Sequence, residues 1–220
     1  MISAVSKILS YIIPQKIEVV KSEIQGDILV EYYRGEYRVT VDSYWQSGSY
    51  ARGVIRAALN NLSMPRVSVR KLLFLGIGPG SMVEILREEF PKVHTTGVDI
   101  DSAMLDIGRK YFNLSSDKNT SLVVSDAWEY LEKLKKSELF QVVVSDLFIG
   151  CDTAYDLRTN DFLQGIYTHL SNGGVYISNS SYIEKYRNQT DEFIQKVRKI
   201  FDRVEVITRY PNRIIRGYKS

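Results

Sequence analysis

The sequence predicts an α/β fold: a mostly parallel sheet covered by helices on both faces, ended by an antiparallel C-terminal hairpin and preceded by a small β meander. Three observations predict it. From Lys71 onward, short apolar runs alternate with segments of helical periodicity, the mark of βαβ units. The first of these runs ends in Gly76-Ile77-Gly78-Pro79-Gly80 and leads into a helix. The last two runs, residues 204–208 and 213–217, are joined by Tyr210-Pro211-Asn212, a link so short that only an antiparallel pair fits.

The elements follow in order. Residues 1–15 are apolar but short, without a basic leader or a small-residue cleavage site; they read as a packing segment, not a signal peptide. Residues 16–20, 27–33 and 37–42 are rich in β-branched and aromatic side chains, with turns at Gly26 and at Arg34-Gly35-Glu36. They form a meander within residues 16–47 that cannot stand alone, so it must pack on the main domain or on a second subunit. Residues 48–220 form that main domain. Val54, Ile55, Ala58 and Leu62 recur at helical spacing. Strands are then predicted over residues 71–75, 95–100, 121–124, 140–144 and 175–178. Helices are predicted over 81–90, 102–112, 127–134, 160–170 and 190–201, with a turn at Ser171-Asn172-Gly173-Gly174. A parallel Rossmann-like sheet ended by an antiparallel hairpin is the organisation of the class I methyltransferase-like fold.

Composition narrows the function. The 220 residues are 44% apolar, enough for a buried core. Lys and Arg total 29 against 26 Asp and Glu, and the basic residues are scattered, which is no nucleic-acid footprint. The locally basic tail, residues 203–219, reads as a solvated edge. No run reaches transmembrane length, so no membrane partner is expected and the cytoplasm is the default location. The single cysteine, Cys151, has no partner for an internal disulfide, and neither His94 nor His169 lies near it in sequence to activate it. One cysteine and two histidines also argue against a zinc site.

The glycine loop sits where backbone N–H groups and a helix start can face a ligand. Asp99 ends the next strand about twenty residues on, where a carboxylate can accept from both ribose hydroxyls. Asp126 ends the third strand and can accept from an adenine amino group; it can equally cap the helix that follows. Asp146 ends the fourth. Three carboxylates at successive strand ends converge on the crevice where such sheets bind ligands. A dinucleotide fingerprint starting at Gly76 would want Gly or Ala where Ser81 stands, and together with the hairpin this favours an S-adenosyl nucleotide over NAD.

From residue 27 to the C-terminus the sequence resembles the spermidine synthases, the polyamine aminopropyltransferases. Val41-Asp42-Ser43-Tyr44-Trp45-Gln46 is similar to the family segment that carries a nucleotide-binding Gln. The glycine loop, Gly97-Val98-Asp99-Ile100-Asp101, Ser125-Asp126-Ala127 and Ser145-Asp146 are similar to its loop, ribose, adenine and catalytic segments, and residues 161–163 and 170–174 to its next helix and turn. The resemblance implies that Gln46, Gly76, Gly78, Gly80, Asp99, Ile100, Asp126 and Ala127 hold S-adenosylmethionine or decarboxylated S-adenosylmethionine, with Asp146 as the catalytic base. It implies a small-molecule acceptor and a homodimer.

The departures cluster on the amine side. The acidic pair after the family's Gln is replaced by Ala51 and Arg52, with Arg56 nearby; a loop Asp by Pro79; the second catalytic-loop Asp by Ile149. Asp152 and Asp156, in a loop over residues 150–159 expected to act as a lid, are candidates to replace them. Three functions remain open: an aminopropyltransferase-like enzyme with altered acceptor specificity, a methyltransferase on a small molecule, for which Arg52 and Arg56 suggest an anionic one, and a non-catalytic nucleotide-binding protein.

Overall fold

The computed structural model describes residues 3–114, 118–150, 152–154 and 158–220. A short helix, α1 (Ala4–Leu9), leads into β1 (Gln15–Ser22), β2 (Gly26–Tyr33), β3 (Glu36–Val41) and β4 (Tyr44–Trp45), an antiparallel sheet in that spatial order. Arg34 and Gly35 turn between β2 and β3 with φ of 51° and 86°. Alternation along β2 and β3 turns Ile28, Val30, Val39 and Val41 to one face, where they are at most 1% exposed. They pack on Met104 and Ile107 of α4 (Ser102–Tyr111). Each such burial contributes roughly 1.5–3 kcal/mol, set against the entropy of ordering the strands. Ser22 donates to Asp101 at 2.6 Å, and Lys110 pairs with Glu18 at 2.7 Å, so the meander is also tied to α4 at both ends.

The main sheet has seven strands. β5 (Lys71–Leu75) is central, between β6 (His94–Asp99) and β8 (Phe140–Ser145); β7 (Thr120–Val124) lies beyond β6, and β11 (Leu170–Ser181) beyond β8. All of these pair in parallel. β13 (Asn212–Tyr218) runs antiparallel to β11, and β12 (Arg203–Arg209) lies outside it. Both faces are covered, as the apolar runs predict. Leu72 and Phe74 point to α2 (Ser49–Leu59) and α3 (Val83–Glu89). Leu73 and Leu75 point to α5 (Ala127–Lys133), α6 (Asn160–His169) and α7 (Arg187–Ile200).

Two local expectations, the turn at residues 171–174 and the solvated tail, need correction. The turn at residues 171–174 lies inside β11, as an irregularity between Leu170 and Val175 where the register with β8 shifts. In the N-terminal segment no α1 residue is buried, and Val5, Ile8 and Ile12 are 66%, 72% and 78% exposed, while Ser10 is fully buried and its carbonyl accepts from the Arg34 N–H at 3.0 Å. The basic tail is not all solvated. Arg216 is 3% exposed and donates to the carbonyls of Ala57, Ala58 and Asn60 at 2.5–3.1 Å, satisfying the otherwise orphaned C-terminal end of α2, while Glu205 balances its charge at 3.0 Å. Within the predicted lid lies β10 (Asp152–Thr153), which pairs antiparallel with β9 (Phe148–Ile149) just before it; Cys151 and Asp156 lie outside the described residues.

Candidate active site

Strand register decides where the site lies. Leu75 of β5 is level with Val98 of β6 and Ser145 of β8, and Asp99 is level with Val124 of β7. Strands ending together deliver Gly76, Asp99, Ser125-Asp126 and Asp146 to one edge of the sheet. They line a cleft of about 550 Å³ with Ile77, Gly78, Ile100 and Ala127. This is the crevice beyond the carboxyl ends of the strands where such sheets take ligands.

The glycine loop is built for close approach. Gly76 has φ +77°, and a Cβ there would lie 2.4 Å from the Asp146 carbonyl oxygen, so only glycine lets the loop lie against β8. Gly80 differs from its neighbours: it does not line the cleft, and its φ of +77° and a Cβ position 2.3 Å from Leu114 make its requirement one of packing. Asp99 accepts from the Gly78 N–H at 2.7 Å and from the Asp101 N–H at 2.9 Å. Burial pushes its carboxyl above the usual range, and those backbone hydrogen bonds oppose the push. One oxygen of Asp126 caps α5, accepting from Trp128 and Glu129, and the residue also lines the cleft.

A second cavity of about 390 Å³ adjoins the cleft, and the two share Gln46, Met82, Asp146 and Phe148. Aromatic and apolar side chains dominate its wall, among them Tyr44, Trp45, Tyr50, Val54 and Ile183. Among the described residues that line it, Asp146 is the one carboxylate. Asp146 stands at the end of a directed hydrogen-bond chain. The Tyr50 hydroxyl donates to Asn212 Oδ1, Asn212 Nδ2 donates to Asn179 Oδ1 at 2.8 Å, and Asn179 Nδ2 donates to Asp146 Oδ1 at 2.9 Å. Burial pushes the Asp146 carboxyl up to about 6, against the lowering effects of the Asn179 bond and the Arg158 charge. A carboxylate so placed is a poised proton acceptor.

Gln46 spans the junction and donates to the Gly150 carbonyl at 2.8 Å. The Gly150 N–H donates to Gln25 Oε1, also at 2.8 Å, so two meander glutamines fasten the start of the predicted lid. Sequence reasoning missed Gln25, Asn179 and Asn212 and gave Tyr50 no role. Asn179 lies on β11 one residue past Ser178, the partner of Ser145, so the strand-end reasoning that found the aspartates would have found it. Nothing local marked the others.

Two charges lie elsewhere than expected. Arg52 does not line either cavity; it pairs with Glu36 on β3, because α2 leaves Gln46 in the direction that lays Arg52 over the meander. Arg56 lies near Glu88 at 3.7 Å on the surface. Pro79 and Ile149 do line the larger cleft, as does Asp152, which is exposed and paired with Lys185 at 3.0 Å. His94 meets Ser121, and His169 meets the Glu138 carbonyl, both away from the cavities.

A seven-stranded sheet of this order, with a nucleotide-sized cleft at its carboxyl edge, defines the methyltransferase-like class of α/β proteins. Within that class, residues 58–217 match the spermine/spermidine synthase domain, and the chain belongs to that family. A polyamine aminopropyltransferase of Vibrio vulnificus is 27% identical over 146 residues, covering 66% of this chain and 49% of that protein. The chain thus spans about half the length of that relative. A probable spermidine synthase from Corynebacterium glutamicum superimposes with a TM-score of 0.76 at 20% identity, covering 94% of this chain and 80% of that one. Human methyltransferase-like protein 13, in complex with SAH, superimposes with a TM-score of 0.63 at 21% identity, covering 78% and 81%. At these identities the two structures attest the fold.

Proposed function

We propose that the chain is a spermidine synthase-like transferase that takes an S-adenosylmethionine-type nucleotide in the larger cleft and delivers an aminopropyl group to an amine in the smaller cavity, with acceptor specificity altered from its family. The observation that carries this is Asp146. It is the buried, proton-ready group shared by both cavities, so it sits where donor and acceptor must meet.

The donor supplies a sulfonium, whose attached carbons are electrophilic. This chain's residues do the rest. Asp99 offers its remaining lone pairs to ribose hydroxyls, Asp126 and Ala127 border the adenine position, Ile100 forms an apolar wall, and Gly76 and Gly78 let the nucleotide lie on the backbone. Gln46 closes the nucleotide from the meander side. Asp146 takes the ammonium proton, and the freed lone pair forms the N–C bond while the C–S bond breaks towards a neutral thioether. Alignment of the two reactants supplies much of the remaining acceleration.

One observation favours a second reading. Pro79 lines the cleft where the resemblance expects an Asp, so that position offers no carboxylate to an aminopropyl ammonium. Methyl transfer from intact S-adenosylmethionine would not need it. Calorimetric titration with the intact and the decarboxylated nucleotide, each with and without putrescine, separates the two. Tighter binding of the decarboxylated form supports aminopropyl transfer. Tighter binding of the intact form selects methyl transfer, and binding of neither removes the nucleotide assignment.

A further inference from the structure

Among its described residues, the smaller cavity offers one carboxylate. Asp146 is the single carboxylate among its described lining residues, and one of its oxygens already accepts from Asn179. The other polar groups on that wall are neutral, and several are already engaged: Asn179 Oδ1 and both ends of the Asn212 amide are used within the chain that begins at Tyr50. Asp42 lies at the rim beside Gly150 but is exposed, where water screens it. A second ammonium entering this space would therefore lose water without gaining a carboxylate.

Aromatic faces are the remaining way to hold a cation. Here positive charge is already present beside them. The Arg38 guanidinium lies 5.2 Å from the centre of the Trp45 ring and 4.4 Å from that of Tyr33. Arg209 is close enough to Tyr50 to act on its hydroxyl, and its guanidinium lies 3.6 Å from where a Gly53 Cβ would stand. The wall that could stack on a second ammonium is thus backed by two arginines. What it offers freely is apolar surface: Val54, Met82, Phe148, Ile183 and the rings of Tyr44 and Trp45.

We infer that the acceptor is a primary amine carrying a single positive charge on an apolar or aromatic body, and that the cavity selects against a diamine. This rests on the reading of Asp146 as the meeting point of donor and acceptor. One ammonium docks on the free oxygen of Asp146, loses its proton there, and the uncharged remainder fills the aromatic end.

The test uses two probes that share a five-carbon chain: n-pentylamine, whose last carbon is a methyl group, and cadaverine, whose last carbon carries a second ammonium. The full chain is titrated with each, alone and with methylthioadenosine present. The expected result is binding of n-pentylamine roughly tenfold or more tighter than cadaverine. Equal or tighter binding of cadaverine overturns the inference. So does failure of both amines to bind while methylthioadenosine binds, and that outcome leaves the nucleotide reading standing. Preference for n-pentylamine without any methylthioadenosine binding does the reverse: it supports the charge count and removes the donor assignment. As a second measurement, Ser181→Asp adds a carboxylate at a half-buried lining position, where water screens it less than at the rim. It should narrow the ratio between the two amines, and an unchanged ratio counts against the inference.

Discussion

The larger cleft and the smaller cavity meet at one carboxylate, yet they are constructed differently. The cleft is made of main chain. Its floor is the glycine loop, its polar groups stand at the ends of adjacent strands, and Asp99 is locked by two backbone N–H groups. The cavity is made of side chains that arrive from α2, β4, β11 and β13 and hold one another through the Tyr50–Asn212–Asn179 chain. The lesson is that the fold dictates the larger cleft, proposed for the donor, whereas a few exchangeable side chains dictate the smaller cavity, proposed for the acceptor.

The largest expected effect lies at the shared group. Asp146→Asn should lower turnover by ~10²–10⁴-fold, the usual contribution of a general base, followed as methylthioadenosine release. The same substitution should stabilise the protein. The folded pKa of Asp146 is raised from 3.8 to about 6, so the native state holds a proton that the unfolded chain releases between those values. That contribution is present at low pH and is lost as pH rises through 6, leaving a buried charge that Asn removes. Thermal unfolding at pH 8 should therefore favour the variant by at most about 3 kcal/mol, and at pH 3 the two proteins should converge. A variant less stable at pH 8 would contradict the burial of that charge.

Next comes a substitution that should break both halves together. Gly76→Ala forces a left-handed residue to carry a Cβ against the Asp146 carbonyl, costing at least ~1–2 kcal/mol for the conformation alone. Nucleotide and amine affinity should fall together, because the loop and the Asp146 peptide are in contact. An effect on the nucleotide alone would show the two sites to be mechanically separate.

Asp99→Ala should act on one half. Nucleotide affinity, measured with methylthioadenosine, should weaken by ~1.5–3 kcal/mol, the range for hydrogen bonds to a charged group. Amine affinity should not change. The smallest effect sharpens the other half. Asn179→Ala removes a bond that lowers the Asp146 pKa, so the acid limb of the pH–rate profile, expected near 6, should move to higher pH. An unmoved limb would mean that Asn179 holds the acceptor and not the base.

The same contrast explains what the sequence revealed. Gly76, Asp99, Asp126 and Asp146 were legible because a strand end is a local event: an apolar run stops, and the next residue faces the crevice. Asn212 was not legible. It lies on a strand that returns antiparallel from the far edge, and its partners Tyr50 and Asn179 are 162 and 33 residues away. Arg52 misled for the opposite reason. Closeness in sequence to Gln46 suggested the cleft, while the direction of α2 gave Arg52 to Glu36. Arg216 looked like surface charge because its neighbours are basic, and only tertiary packing exposes the three carbonyls it satisfies.

The position of Trp45 makes the smaller cavity optically addressable. The chain has two tryptophans. Trp45 is 56% exposed on the cavity wall beneath Arg38, whereas Trp128 packs on the other side of the main sheet, its ring 6.2 Å from that of Phe162. Emission from Trp45 begins in a wet, charged setting and must shift to shorter wavelength when an apolar body covers the ring, while Trp128 provides a steady internal reference. With Trp128→Phe the chain carries one tryptophan, at the smaller cavity, and excitation at the red edge, beyond the absorption of the fifteen tyrosines, lets occupancy of that cavity be followed with no label and no turnover.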